Sequence, residues 1–356
     1  MELIPALYII LPLLGAFLIP IVGHFVKGFQ QTLSVLLTLF LVVYSVWFYV
    51  VGYDAPAVTK VGGWEAVKGI PIAIYLVYDG LSAFILLIVN LIAFLSTFYA
   101  MGYIKRFTAE NNFYALLCLM IAGMNGVVLS GDIFNIYVFL EIAVIASYAL
   151  VAFGTEKREL EASFKYQVLG GIASLLILFA VGLLYWQTQT LNLADISAIL
   201  QYEEQSTALI FTEVLLIVGF GLKAAMIPLH AWLPDAHSSA PSPISAMLSG
   251  VLIKAVGVYA LIRLFFNILP ITYEVTMVII VLGTLSMVIG VLLAIRQWDL
   301  KRLLAYHSIS QMGYVVIGVG IGMMIIFQDG NKTVAALSIA GGLFHLINHA
   351  VFKGLL

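Results

Sequence analysis

The sequence predicts an all-α protein that crosses a membrane many times, on three observations. Of 356 residues, 63% are apolar and 10% charged, where soluble domains carry ~25% charged residues. The mean hydropathy is +1.11. Apolar runs recur along the whole chain, each about 20 residues long and so able to cross ~30 Å of hydrocarbon as a helix, with short polar joints between them. Membrane β-strands need only ~10 residues and alternate strictly between apolar and polar positions, which these runs do not.

About eleven spans are expected, near residues 4–22, 32–51, 78–101, 113–130, 133–153, 169–186, 208–230, 243–266, 273–295, 303–327 and 334–356. The first follows Met1-Glu2 without a basic segment or a small-residue cleavage site, so it reads as a retained span and not as a signal peptide. The joint over 52–71, with Gly62, Gly63 and Trp64, suits a short hairpin. The joint over 187–205 is polar and acidic, and part of it suits a surface helix. With an outside N-terminus, the inner joints hold Lys27, Lys105, Arg106, Lys157, Arg158, Lys165, Arg296, Lys301 and Arg302. The outer joints keep Lys60, Lys68 and Lys332, with Arg263 near an outer helix end. The positive-inside rule therefore favours an N-terminus outside the cell membrane.

Charges within the spans point to chemistry. Lys223 lies in one apolar run and Lys254 in the next, and Pro228, Pro234, Pro241 and Pro243 interrupt the chain between them. An ammonium group in hydrocarbon costs at least ~2.5 kcal/mol, so both lysines are expected to face protein or water. Pro228 removes a backbone N–H and crowds the preceding turn, which predicts a broken seventh helix beside Lys223. Glu141 sits mid-span, where an ionised carboxylate needs a partner and a neutral one is poised to exchange protons. Glu141 would stabilise a charged Lys223, while burial and the like charge of Lys254 oppose it. Asp79 and Asp132 open spans and read as helix caps. Asp235 reads as a turn or cap residue.

His345, His349 and Lys353 are spaced by four, so they share one helix face. Histidines of ordinary pKa interleaved with water could relay protons along ~12 Å of helix rise. Asn348 could tie that helix to a neighbour, and Tyr306, His307 and Gln311 add polar groups to the tenth span. His230 and His237 fall in an inner joint reachable by water. For these two, and for His307, proton transfer and an ordinary structural role are equally open. Two histidines at the spacing of His230 and His237 make a poor zinc site.

Other classes fit less well. A net charge of −2 offers no basic surface for nucleic acid. The single cysteine, Cys118, can build neither a disulfide framework nor a cysteine-ligated cluster, and no nucleotide-binding loop occurs, so no cofactor is expected on this chain. A stand-alone carrier would want a substrate-shaped pocket at mid-membrane, whereas the chain strings single titratable residues along a line. A non-conducting structural membrane subunit would have no use for buried Glu141, Lys223 and Lys254.

The segments GDIFNIYVFLEI, KAAMIPLHAWLPDAHSSAPSPISAMLSGVLIKAVGVYALIR, KRLLAYHSISQMGY and LFHLINHAVFKGLL resemble the antiporter-like subunits of respiratory complex I, Mrp sodium/proton antiporters and membrane-bound hydrogenases. The TEKRELEASFKY joint and the HSSAPSPISAMLSG wording are most similar to the Mrp D subunit and its hydrogenase counterpart. The resemblance implies two inverted five-helix repeats: residues 1–104 would form the first three helices, 111–266 the first repeat, and 273–356 part of the second. It implies a further broken helix beyond Leu356, so the second repeat is expected to be incomplete here. It also implies a proton path through Glu141 on the fifth helix, Lys223 on the broken seventh, Lys254 on the eighth, and His345, His349 and Lys353 on the eleventh. The implied function is proton translocation in a multisubunit sodium/proton antiporter. The alternative is proton pumping in a membrane-bound hydrogenase or a complex I-like quinone reductase. The implied partners are other hydrophobic subunits, protons and sodium.

Overall fold

A computed structural model describes residues 4–52, 56–62, 73–202 and 205–356. It is an all-α bundle with one small hairpin. The helices are α1 (Leu7–Val22), α2 (Phe29–Gly52), α3 (Gly80–Tyr103), α4 (Glu110–Leu129), α5 (Ile133–Val151), α6 (Lys157–Thr188), α7 (Leu193–Leu200), α8 (Thr207–Lys223) and α9 (Trp232–Ser239). They continue with α10 (Ser242–Met247), a π-helical stretch (Leu248–Val258), α11 (Tyr259–Asn267), α12 (Tyr273–Ile295), α13 (Leu300–Phe327) and α14 (Lys332–Leu355). Among the described residues, nine helices are long and apolar enough to span a membrane; α1 and α8, at 16 and 17 residues, are shorter. The protein is therefore a multi-pass membrane protein, and the eleven expected segments appear in order. α7 supplies the expected surface helix, burying Leu193, Ile196 and Leu200.

Strands β1 (Ala57–Val61) and β2 (Ile74–Tyr78) pair antiparallel, as the glycine-bearing joint suggested. Gly63, Trp64 and Lys68 lie outside the described residues. The loop between α4 and α5 is stitched beneath this hairpin: Gly131 N–H donates to Tyr75 O at 2.8 Å, and Leu193 N–H donates to Gly131 O at 3.0 Å. Non-helical backbone at the edge of a membrane bundle needs such partners, because hydrocarbon supplies none.

Local signals set the helix starts. Asp79 accepts from Ser82 N–H at 2.9 Å while Ser82 Oγ accepts from Asp79 N–H at 2.7 Å, a reciprocal capping box. Asp132 accepts from Asn135 N–H at 2.9 Å. Ser206, Thr272, Asp299 and Asn331 cap α8, α12, α13 and α14 in the same way. Glycine permits close helix crossings: a Cβ on Gly123 would stand 2.5 Å from Ala143 N, and one on Gly313 would stand 2.5 Å from Gly283 O.

The core is the span from Ser242 to Asn267, buried over 94% of its most apolar window, against 28% for α12 and α14. This central span holds Lys254, and the other helices wrap it. At its hairpin-side end Arg263 reaches across to the α3 cap, donating to Asp79 at 2.6 and 2.8 Å and to Tyr259 Oη at 3.0 and 3.1 Å. Burial alone would push the Asp79 carboxyl up, but the Arg263 fork and the Ser82 donors outweigh it and hold its pKa below the usual value.

Replacing Arg263 with Ala should cost about 2–3 kcal/mol, because a charge-assisted pair is lost and Asp79 is stranded. Thermal unfolding in detergent would show the loss; an unchanged Tm would mean the pair is idle. A depressed carboxylate pKa stabilises fully above the unfolded value of ~3.9 and is lost as pH falls through the folded value. Asp79→Asn should therefore flatten the acid limb of the stability–pH curve.

Candidate functional site

The seventh span breaks at Lys223, five residues before Pro228. α8 ends there, Ala225 takes a left-handed φ of +53°, and the Ile227–Pro228 peptide is cis. The sequence placed the break at Pro228 because only the proline is visible locally; the earlier stop is made by tertiary partners. Trp232 Nε1 donates to Leu222 O at 2.8 Å, and Ile227 N–H donates to Ser286 Oγ of α12 at 2.9 Å. Met226 N–H returns to Gly221 O at 2.9 Å. These bonds satisfy Leu222 O, Gly221 O, Met226 N–H and Ile227 N–H at the break. Gly257, in the π-helical stretch, lets the central span press on it: a Cβ there would fall 2.5 Å from Ala224 Cα.

Lys223 stands in the last turn of α8, where the carbonyl end of the helix favours a cation. It is 4% exposed. Its Nζ donates to Gly170 O at 2.9 Å and to Ser174 Oγ at 2.8 Å, both on α6. Glu141 Oε1 lies 3.7 Å from the ammonium, and Ser174 Oγ makes a short hydrogen bond to the same carboxylate oxygen. Ser174 therefore bridges acid and base. Gly170 is bare where a Cβ would strike Tyr148 Oη, and its carbonyl accepts from Ser174 Oγ at 2.9 Å as well as from the lysine. Nothing in the sequence marks Ser174, one small polar residue in an apolar run.

Lys254 is 1% exposed and belongs to a different group. Its Nζ donates to Ser249 O at 2.5 Å, one π-turn back in the same helix. Ser249 Oγ meets Ser308 Oγ of α13 at 2.6 Å. Ser308 in turn donates to Leu304 O at 2.9 Å, and Lys353 of α14 donates to that same carbonyl at 2.6 Å. Lys254 and Lys353 thus stand on either side of the Ser249–Ser308 contact, Lys254 on the Ser249 main-chain carbonyl and Lys353 on the Leu304 carbonyl that Ser308 shares. The expectation that Lys254 opposes Lys223 is corrected: the cation neighbouring Lys254 is Lys353, and the charged partner of Lys223 is Glu141.

The eleventh-helix residues do share a face, but not one environment. His345 is half-buried and bonds Gln311 Oε1 through Nε2 at 2.6 Å. His349 is fully buried with both ring nitrogens unpartnered, its ring 5.0 Å from Phe352. His307 approaches the same Phe352 at 6.0 Å, with Nδ1 unpartnered. Asn348 is exposed and makes no helix tie among the described residues.

The histidines after the break also differ from expectation. His237 is 5% exposed within α9, with Nδ1 unpartnered, and lines a cavity of about 370 Å³ together with Lys301 and Lys353. Its burial comes from α9 folding back as a helix, a turn the proline-rich wording concealed. His230 is half-buried, with its ring 6.1 Å from Tyr306. Asp235 does more than turn the chain: it accepts from Lys165 at 3.1 Å and from Arg302 at 3.1 Å, clamping α9 between α6 and α13. Arg158 reinforces the clamp through Ser238 at 3.1 Å and Asp299 at 3.3 Å. Among the described residues no group of three or more His, Cys, Asp or Glu could hold a metal ion.

The sequence pattern of the NADH:quinone oxidoreductase/Mrp antiporter transmembrane family matches residues 130–356, and that of the complex I chain 5 N-terminus matches 64–114. The chain belongs to the NADH:quinone oxidoreductase/Mrp antiporter family. Among its relatives, the N subunit of the NADH-quinone oxidoreductase of Desulforudis audaxviator is 37% identical over 83% of this chain and 56% of that protein. The D subunit of the Na(+)/H(+) antiporter of Alkalihalophilus pseudofirmus is 34% identical over 98% of this chain and 68% of the relative. In the solved Mrp complex of a Dietzia species, one chain superimposes with a TM-score of 0.86 at 27% identity, over all of this chain and 64% of that one. This family member thus spans between about half and two thirds of the length of these two relatives.

Trp232→Phe keeps the parallel stack on Tyr166, whose ring centroid is 4.2 Å away, but removes the donor to Leu222 O. Leu222 O still accepts from Ala225 N–H at 3.1 Å, so losing the indole donor should cost about 0.5–1.5 kcal/mol. The check is the melting temperature in detergent, and a wild-type value would mean that another donor replaces the indole.

Proposed function

We propose that this chain is the proton-translocating subunit of a multisubunit, Mrp-type sodium/proton antiporter. The observation that carries the reading is the Glu141–Ser174–Lys223 triad at the end of the broken helix, with Lys223 buried and the Glu141 side chain 25% exposed. A lysine held at a carbonyl-rich helix end, one hydroxyl away from a carboxylate, can change its proton occupancy when the acid moves or is neutralised. The second group, Lys254 and Lys353 on either side of the Ser249–Ser308 contact, with His349 and His345 alongside, supplies the next stations of a lateral path. His230, His237 and His307 are accessory candidates at its edge. Glu141, Lys223, Lys254, His345, His349 and Lys353 form the proposed path, and Pro228 lies in the helix break beside it.

In this reading residues 1–104, 111–266 and 273–356 are the three initial helices, a first five-helix repeat and part of a second. The hairpin faces outward, the basic joints face the cytoplasm of a cell membrane, and the N-terminus is outside. Similarity to the D subunit of an Na(+)/H(+) antiporter along 98% of the chain supports sodium as the exchanged ion and other hydrophobic subunits as partners. A redox-driven complex is the second reading, favoured by 37% identity to an NADH-quinone oxidoreductase subunit.

In vesicles carrying the assembled complex, Glu141→Gln should lower proton flux by ~100-fold while leaving assembly intact, and Lys223→Ala should be at least as severe. Flux equal to wild type in either would remove that residue from the path. The complex purified through this chain should contain only hydrophobic antiporter subunits; co-purifying iron–sulfur or nickel–iron subunits would transfer the assignment to the redox reading.

A further inference from the structure

Glu213 lies on α8 ten residues before Lys223 and takes no part in the path above. It is 1% exposed, and its Oε1 has no hydrogen-bond partner. Among the described residues no cation pairs with it; its polar neighbours are the Gln205 side chain and the Glu274 carboxylate in the first turn of α12. Helix geometry sets Glu213 about 15 Å from Lys223 along α8 and about a quarter turn around it.

The next turn of α8 beyond Glu213 borders a dry crevice. One turn below Glu213, Ile217 lines a crevice of about 20 Å³, closed by Met226 of the break, Ile262 and Phe265 of α11, and Ile279 and Leu282 of α12. That volume admits a single water at most, and every lining side chain is apolar, so a water there would lack the two to four polar partners it needs. Polar groups resume at the far end, where Ser286 Oγ holds Ile227 N–H. α12 repeats the sequence along its own axis: buried Thr276, then Ile279 and Leu282, then buried Ser286.

We propose that Glu213 is a proton-exchange site on the outer side of the α8 break, and that the apolar crevice beneath it is the gate between it and Lys223. The proposal rests on the proton-translocation reading and adds to it an outward-facing station within the first repeat. When the crevice wets, an N–H bond of the Lys223 ammonium breaks, the proton crosses by water, and it forms the O–H of the Glu213 carboxylic acid. Release to outer water regenerates the carboxylate, and drying of the crevice prevents a short circuit. A proton needs one free lone pair, which Oε1 offers; a metal ion needs a cluster of ligands, and none is found among the described residues.

Two measurements on the purified complex test this. Infrared difference spectra across a pH titration should show a protonated-carboxyl band that Glu213→Gln removes and Glu213→Asp displaces. In proteoliposomes, Glu213→Gln should lower proton flux about tenfold or more, whereas Ile217→Asn, which wets the crevice, should raise passive proton leak about tenfold, an effect the double variant abolishes. The infrared band is read without turnover, so its loss in Glu213→Gln supports the site even where Lys223→Ala leaves flux unchanged and the translocation reading fails. An unaltered band in Glu213→Gln overturns the proposal. So does a band that answers to sodium and not to pH, or a leak in Ile217→Asn that persists when Glu213 is Gln.

Discussion

An ammonium group cannot rest in hydrocarbon; it must find its oxygens within the protein. Two buried lysines impose that constraint here, and much of the bundle can be read as its solution. Lys223 ends a helix so that it meets the carbonyl end of α8, and α6 offers it a hydroxyl and a backbone carbonyl. Lys254 turns back onto its own helix, where the π-helical winding brings the Ser249 carbonyl within reach. The two solutions differ, and so does the company each lysine keeps. One faces a carboxylate, the other looks along a pair of serines toward another lysine.

The cost of these arrangements falls on the backbone. A helix stopped mid-bundle exposes carbonyls, and Trp232, Ser286 and a return bond from Met226 are recruited to cover the break. The joint after it is fastened by charge: Asp235 holds Lys165 and Arg302, binding the short α9 to helices from both halves of the chain. On the opposite face, Arg263 and Asp79 perform the same service for the central span. The opened region is therefore held by single hydrogen bonds and close packing, with the Asp235 ion pairs fastening the joint after it.

Features set by neighbours in the chain were legible in the sequence. Asp79 and Asp132 were readable as caps because capping is an affair of three residues, and the spans were readable because hydrocarbon thickness fixes their length. Glu141 and Lys223 announced themselves as charges in apolar runs, and they do meet. The same test applied to Glu213, an equally apolar setting, would have found it. Ser174, Ser249 and Ser308 could not be picked out, since a serine in a membrane helix commonly bonds its own preceding turn, and only the facing helix gives it another purpose. The true start of the break was hidden for the same reason: its determinants lie on α9, α12 and the central span. The pairing of Lys254 with Lys353 needed a fold in which residues about a hundred positions apart share one carbonyl-lined wall.

Gly257 has no side chain because none would fit between the central span and Ala224. Backbone rests against backbone there, without a flexible side chain to absorb displacement. A displacement of the opened segment would meet the π-helical stretch directly, and Lys254 sits less than one turn away. The two lysines share no direct contact, yet they are mounted on parts that mesh like adjoining teeth, so neither can be repositioned without the other being nudged.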